Sequence, residues 1–242
     1  AGMEYSQDNL EDNMWGYGRF TDQTVRIGSA YLQNEWKNDK WSFLLGGRLD
    51  KHNLIDGIIF SPRVNLRYNP LRNVRASYSY GFRAPQAFDE DLHIDNVGGI
   101  VSMIRLADGL RVEKSQSVSL SADMYHTWGD WQGNLLVEGF FTDLSDVFAL
   151  TEIGVEDGVL IKERRNESGA HVWGGNLEGK IAYGSLWQFQ AGVTLQRSRY
   201  KDAHAWSENV PATRQMLRSP DFYGYFVTSC NPYRGFSLSL SG

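Results

Sequence analysis

The sequence is poor in the features that mark most familiar protein classes. It holds a single cysteine, Cys230, so no internal disulfide is possible. Proline is scarce at 6 residues of 242. No stretch approaches the ~18 consecutive apolar residues of a transmembrane helix. Positive charge is not in excess: 24 Lys and Arg stand against 29 Asp and Glu, a formal net charge of -5. Nucleic-acid binding wants a basic face, and the acidic balance argues against such a partner. The N-terminus, Ala1-Gly2-Met3-Glu4-Tyr5, carries no signal peptide. With 41% hydrophobic and 22% charged residues, the chain also lacks the composition of a disordered segment.

Aromatics and glycine are abundant. Phe, Trp and Tyr make up 13% of the chain, and glycine numbers 25. Such a chain favours strands and tight turns over helices. The hydrophobic period is two almost throughout. Val74, Ala76, Tyr78, Tyr80 and Phe82 alternate with Arg75, Ser77, Ser79, Gly81 and Arg83. Val118, Leu120, Ala122 and Met124 alternate with Ser117, Ser119, Ser121 and Asp123. Trp187, Phe189, Ala191, Val193 and Leu195 alternate with Gln188, Gln190, Gly192, Thr194 and Gln196. The pattern predicts ten strands: 24–37, 41–50, 58–68, 73–83, 114–127, 131–144, 167–182, 186–200, 221–229 and 235–242. A hairpin of short strands, 147–152 and 158–164, is expected inside a loop.

The predicted connections alternate in length. Short ones fall at 38–40, 69–72, 128–130, 183–185 and 231–234, and longer ones at 51–57, 84–113, 145–166 and 201–220. Short turns at one end and long loops at the other are the asymmetry of an outer-membrane β-barrel, whose strands cross with about 9–11 residues and need only alternate ones apolar. Trp36, Trp41, Tyr68, Trp128, Trp131, Tyr183, Trp187 and Tyr233 cluster beside the short turns. That is where an interfacial girdle would stand, because each ring is an apolar body with a polar tip. The expected fold is therefore all-β: an antiparallel transmembrane barrel segment with long extracellular loops and short periplasmic turns.

Particular motifs sharpen this. Tyr31-Leu32-Gln33-Asn34-Glu35-Trp36, Leu45-Gly46-Gly47-Arg48-Leu49-Asp50, the run from Ser61 to Pro70, and Tyr78-Ser79-Tyr80-Gly81-Phe82-Arg83-Ala84-Pro85 resemble the barrel of TonB-dependent receptors. The specific part of the likeness covers about 31–90. The resemblance implies a barrel of about 22 strands around a plug. It implies import of a scarce ligand (iron–siderophore, haem or cobalamin) across the outer membrane of a Gram-negative bacterium, driven through the TonB complex. No plug domain or TonB box is recognisable in 1–242, and no terminal aromatic closes the chain. The expectation is thus a partial barrel with both barrel ends missing, contacting its own plug and TonB complex only in a parent protein. Its open edges and apolar outer face would promote self-association.

Candidate ligand-binding residues lie on the predicted outer loops and rim: Arg83, Asp89, Glu90, Asp91, His93, Arg111, Arg164 and Arg165. With Asp95 and Asp108, the acidic residues of the loop 84–113 form a weak calcium signal without EF-hand spacing; no other cofactor is indicated. Arg48, Arg63, Arg67, Arg75 and Arg83 fall on polar faces and would point into the lumen. The simpler expectation for them is pairing with Asp50, Asp123, Glu138 or Glu178, since enclosed charges pair to offset desolvation. The five histidines share no metal-ligand spacing, and no nucleophile elbow or phosphate loop appears, so no enzyme is expected. Two alternatives stay open: a passive porin-like barrel, and a soluble secreted β-protein that stacks carbohydrate on its aromatics.

Overall fold

The computed structural model describes residues 1–242 apart from 70–72, 88–94, 98–99, 205–210 and 217–218. Sixteen strands and one short 3-10 turn account for the regular structure among the described residues. The wall is built from β1 (Gly2–Met14), β2 (Arg19–Lys37), β3 (Trp41–His52), β4 (Ile59–Tyr68), β5 (Val74–Arg83), β8 (Glu113–Trp128), β9 (Trp131–Ser145), β12 (Gly169–Tyr183), β13 (Trp187–His204), β15 (Phe222–Tyr233) and β16 (Phe236–Ser241). These follow one another in space in that order, each antiparallel to the next, and β14 (Thr213–Gln215) pairs with the upper end of β13. Among the described residues β1 and β16 do not pair with each other, so the sheet is open.

Register explains the hydrophobic pattern. Trp128, Trp131, Tyr183, Trp187, Cys230 and Leu238 stand in one outward row across six strands. Higher rows carry Met124, Leu135 and Gly179, then Leu120, Gly139, Gly175 and Leu195, then Val118, Phe141 and Trp173. From Trp128 to Val118 is ten residues, about 33 Å along a strand. At the usual tilt of about 35–45° this gives an apolar band close to the ~25 Å of a bilayer-spanning barrel. Leu120, Leu177 and Leu195 are more than half exposed, as side chains facing lipid must be when the lipid is not present. Gly133 lies in the girdle beneath the indole of Trp128, and a Cβ there would sit 2.9 Å from the ring.

Short turns sit at one end: 38–40, 69–73, 129–130, 184–186 and 234–235. The opposite end carries the connections 53–58, 84–112, 146–168 and 205–221 beside one four-residue link, 15–18. The second and third long connections share a four-stranded sheet made of β6 (Asp95–Val97), β7 (Ile100–Leu106), β10 (Phe148–Glu156) and β11 (Val159–Asn166), in the order β10-β11-β7-β6. Here β11 runs parallel to β7, with Val159 opposite Val101 and Arg164 opposite Leu106. Of the buried apolar residues among those described, Met103, Val147, Ile161 and Ala170 lie in this outer sheet or beside it, and Val25 and Ala84 lie elsewhere. The wall itself is one layer thick and has no enclosed core. That arrangement excludes a soluble sandwich, which hides its apolar faces between two sheets.

The expected strands are present, and β1, β6, β7 and β14 are added to them among the described residues. β1 was missing from the sequence reading because its outward residues above Tyr5 are Gln7, Asn9 and Glu11, paired with Arg26, Thr24 and Asp22. That part of the hairpin rises above the apolar band, so its alternation is polar on both sides. The predicted hairpin at 147–152 and 158–164 exists but runs longer and joins β7 by a parallel pairing. Partners some sixty residues apart in sequence leave no local signal of that kind.

Candidate functional site

The inward face of the wall is a polar surface knitted by side-chain hydrogen bonds. On β3 it carries Ser42, Leu44, Gly46, Arg48, Asp50 and His52. Arg48 donates from Nε to Asp50 Oδ1 at 2.8 Å, from Nη2 to Ser29 Oγ at 2.8 Å and from Nη1 to Glu4 Oε2 at 3.0 Å. Ser29 in turn donates to Asp50 Oδ1 at 2.6 Å. Asp50 and His52 are almost fully buried. His52 Nδ1 accepts the backbone N–H of Leu54, while His52 Nε2 and Asp50 Oδ2 have no hydrogen-bond partner among the described residues. Above them, the backbone N–H of Ala87 donates to Gln23 Oε1 at 2.8 Å. The chain leaving β5 therefore folds across β4 and β3 to reach β2.

Further round the wall the same logic repeats. Ser77 bonds Ser119, and Ser117 bonds Thr142. Asn176 donates to Glu138 and accepts from Thr194. Tyr225 donates to Glu178 Oε2 at 2.6 Å, and Gln190 donates to both. A polar side chain removed from bulk water needs such partners.

Arg48 thus pairs with Asp50 as the simpler expectation had it. Among the described residues Arg63, Arg67 and Arg75 pair with no carboxylate. Arg67 donates to the side-chain oxygens of Asn69 and Asn73, and it stands directly opposite Arg75 in the β4–β5 register.

The outer-loop candidates take separate places. Arg83 ends β5 with its guanidinium 5.7 Å from the centre of the Phe148 ring. Arg111 donates through Nε and Nη2 to Asp146 Oδ1, and its backbone is clasped by Asn166. Arg164 is buried in β11, and Arg165 lies 3.6 Å from Glu167. The structure brings Arg83, Arg111 and the start of the connection 146–168 together, with Glu113 accepting from the Phe148 N–H. Asp89, Glu90, Asp91 and His93 lie outside the described residues. Among the described residues no group of three His, Cys, Asp or Glu side chains is placed to hold a metal ion.

An ion pair that sequence reading missed ties the two long connections: Arg105 donates to both oxygens of Glu156, at 2.9 and 2.6 Å. That fork holds the Glu156 carboxyl below its usual range and raises the Arg105 guanidinium above its own. The aromatics expected at the interface stand outward at the short-turn end. Trp36 stacks on Phe43 and Tyr233 on Phe236, Trp41 packs tilted against Tyr68 and Trp131 against Tyr183, and Trp131 meets Trp187 edge to face, with centroids 4.3 to 6.2 Å apart. Trp128 stacks on His126.

An apolar band outside, a polar hydrogen-bonded face inside and loops graded by end describe a transmembrane barrel wall. The sequence matches the model of the TonB dependent receptor-like β-barrel over residues 1–240. The chain belongs to this family. Its place is the outer membrane of a Gram-negative bacterium. No curated protein matches the sequence. Among solved structures, the siderophore receptor PirA of Pseudomonas aeruginosa superposes with a TM-score of 0.68 at 14% identity, over 99% of this chain and 40% of that one. The FrpB iron transporter of Neisseria meningitidis gives 0.61 at 16% identity, over 87% and 31%. The hemophore receptor HasR of Serratia marcescens, solved with its hemophore HasA and heme, gives 0.69 at 12% identity, over 91% and 44%. This TonB-dependent receptor barrel chain therefore spans roughly two fifths of the length of the solved receptors it resembles.

Proposed function

We propose that the chain forms part of the wall of a longer receptor that imports a scarce iron chelate, an iron–siderophore before haem or cobalamin. The observation that carries this reading is the division of one sheet into a lipid-facing and a lumen-facing side. The inner side is too well supplied with charge to contact lipid: Arg48, Arg63, Arg75, Glu138 and Glu178 all lie on it. It suits a wet passage occupied by a plug, with the interfacial aromatics seating the turns at the periplasmic headgroups. Iron is preferred because similar solved structures include siderophore receptors and an iron transporter. In this reading the outer loops capture the chelate, the plug yields to force from the TonB complex, and the polar wall lets the chelate pass. The chain has no catalytic role.

The test is uptake of radiolabelled ferric siderophores by cells whose sole siderophore receptor is the full receptor containing this chain. Accumulation that stops when TonB is deleted supports the reading. Accumulation that persists without TonB identifies a passive pore and overturns it. Haem uptake in place of siderophore uptake would reassign the ligand.

A further inference from the structure

We propose that a gap in the wall between β4 and β5 seats one anionic lipid of the outer leaflet, its acyl chain in the gap and its phosphate on Lys114. The inference rests on the lipid-facing side of the wall and not on which chelate passes inside it. Pairing of β4 with β5 runs from Tyr68 opposite Val74 to Arg63 opposite Ser79 and stops there. Yet β4 continues to Ile59 against β3, and β5 continues to Arg83 against β8. The pairs that would come next, Pro62 with Tyr80 and Phe60 with Phe82, are not formed.

Proline accounts for the break. Asn69 donates its backbone N–H to Lys40 on the β3 side. Alternate residues of an antiparallel strand turn their peptide groups to the same neighbour. The odd-numbered residues of β4 therefore bond to β3, and Pro62 is among those that face β5. Pro62 has no N–H to give Tyr80, and a proline within a sheet is confined to edges and bulges. Above this point the chain leaving β5 turns inward, with Ala84 buried and Ala87 bonded to Gln23 on β2. Both effects part the two strands.

A cavity of about 600 Å³ occupies the gap, a size that suits a small ligand or a lipid chain. Ile58 and Phe60 line one side, Tyr80 and Lys114 the other, and Leu54 and Val112 its top. Ile58 and Phe60 are more than half exposed. Phe60 stands eight residues above Tyr68 of the girdle, about 26 Å along the strand. Strand tilt reduces that to about 20 Å, within the upper part of the apolar band. Lys114 stands fourteen residues above Trp128 on β8, four beyond Val118 at the top of the band, and so at headgroup depth. Among the described residues Lys114 forms no ion pair, whereas Arg111 at the same cavity is engaged by Asp146. Asp56 supplies the opposing charge at the cavity. Lys51, which could neutralise it, donates instead to the carbonyls of Ile55 and Gly57. Lipid is the solvent that meets this opening, and apolar walls below an unpaired cation match an acyl chain below a phosphate.

The test is native mass spectrometry of the full receptor containing this chain, in neutral detergent, titrated with phosphatidylglycerol or with zwitterionic phosphatidylcholine. Phosphatidylglycerol is expected to be retained at about tenfold lower concentration, the worth of one charge-assisted hydrogen bond. Lys114→Gln should abolish that preference, and Asp56→Asn should enlarge it. Pro62→Val returns the missing donor to β4. It should slow amide exchange at Phe82, as the strands close, and weaken lipid retention about tenfold or more. Val112→Trp fills the cavity from its top and should weaken retention likewise, which keeps the test decisive where Pro62→Val does not fold. Equal retention of the two lipids by the parent receptor overturns the proposal. Undiminished retention by a Pro62→Val protein with slowed exchange, or by folded Val112→Trp, overturns it as well. Occupancy by detergent alone, with no lipid retained, does the same. None of these readouts involves TonB-driven uptake, so failure here can be told from failure of the transport reading.

Discussion

Arg48 and Asp50, two residues apart on one face of β3, form a hydrogen-bonded ion pair at 2.8 Å in which the carboxylate side chain is 2% exposed and the guanidinium 39%. The asymmetry matters. Asp50 depends on Arg48 and Ser29 for its solvation, whereas Arg48 keeps access to the lumen and to Glu4. Asp50→Ala removes the acceptor shared by two donors and should destabilise the folded chain by about 2 kcal/mol or more. Glu4→Ala removes only an exposed partner and should cost about 0.5 kcal/mol or less. Urea unfolding from lipid vesicles, followed by tryptophan fluorescence, measures both. Equal costs would show that the pair does not organise this corner of the wall.

The two faces can be tested at adjacent residues. Leu120 lies outward between Ala76 and Gly139, and Ser119 lies inward between Ser77 and Phe140. Leu120→Arg places a charge inside the apolar band, one row below its upper edge, and should cost about 2 kcal/mol in a bilayer, short of the midplane maximum of about 2–4. Ser119→Arg faces the lumen and loses one hydroxyl contact with Ser77, so its cost should stay near 1 kcal/mol. The same unfolding measurement separates them. A reversed order would mean that the faces are exchanged.

Much of this was legible in the sequence because a barrel wall is a local code. Trp187 to Leu195 alternate strictly, and each side chain's face follows from parity alone. The short turns followed from Asn38, Gly129 and Gly184. What could not be read depends on contacts between distant segments or on departures from the code. β1 was hidden because Gln7, Asn9 and Glu11 stand above the lipid and need not be apolar. The sheet shared by two loops rests on the β7–β11 pairing, which joins segments with no common pattern. The pairing of Arg48 was anticipated. The placement of Arg67 directly opposite Arg75 appears only when register sets β4 beside β5.

Glycine positions separate backbone need from chance. Gly169 opens β12 with φ +131, and a Cβ built there runs into the carbonyl oxygen of Leu144. Gly179 has no atom within 4 Å of where its Cβ would stand. Gly169→Ala should therefore cost roughly 1–3 kcal/mol through backbone strain, and more if the β9–β12 ladder shifts to relieve the clash. Gly179→Ala should be neutral or stabilising by about 0.5–1 kcal/mol, because alanine loses less freedom in a strand. Unfolding midpoints of the two variants in one vesicle preparation decide the matter. Comparable losses at both sites would contradict the backbone path at the start of β12.

The joint outer sheet carries a pH dependence whose sign is fixed by Arg105. The carboxyl of Glu156 is held below its usual range chiefly by the hydrogen bonds from Arg105. A carboxyl depressed in the folded state lends its stability above its unfolded value, about 4.3 for glutamate. It loses that contribution as pH falls through the lowered folded value. The link between β7 and β10 should therefore be intact at neutral pH and weaken only in acid. Both side chains are about half exposed, so the effect should be local loosening of the outer sheet with the wall unaffected. Spin labels at Asp108 and Val155, one on each connection, report the change as a broadening of their distance distribution below about pH 4. Glu156→Gln should be broadened at every pH and show no titration. A distribution in the parent chain that stays constant to pH 3, or a variant that still titrates, would show that other contacts fasten the two connections together.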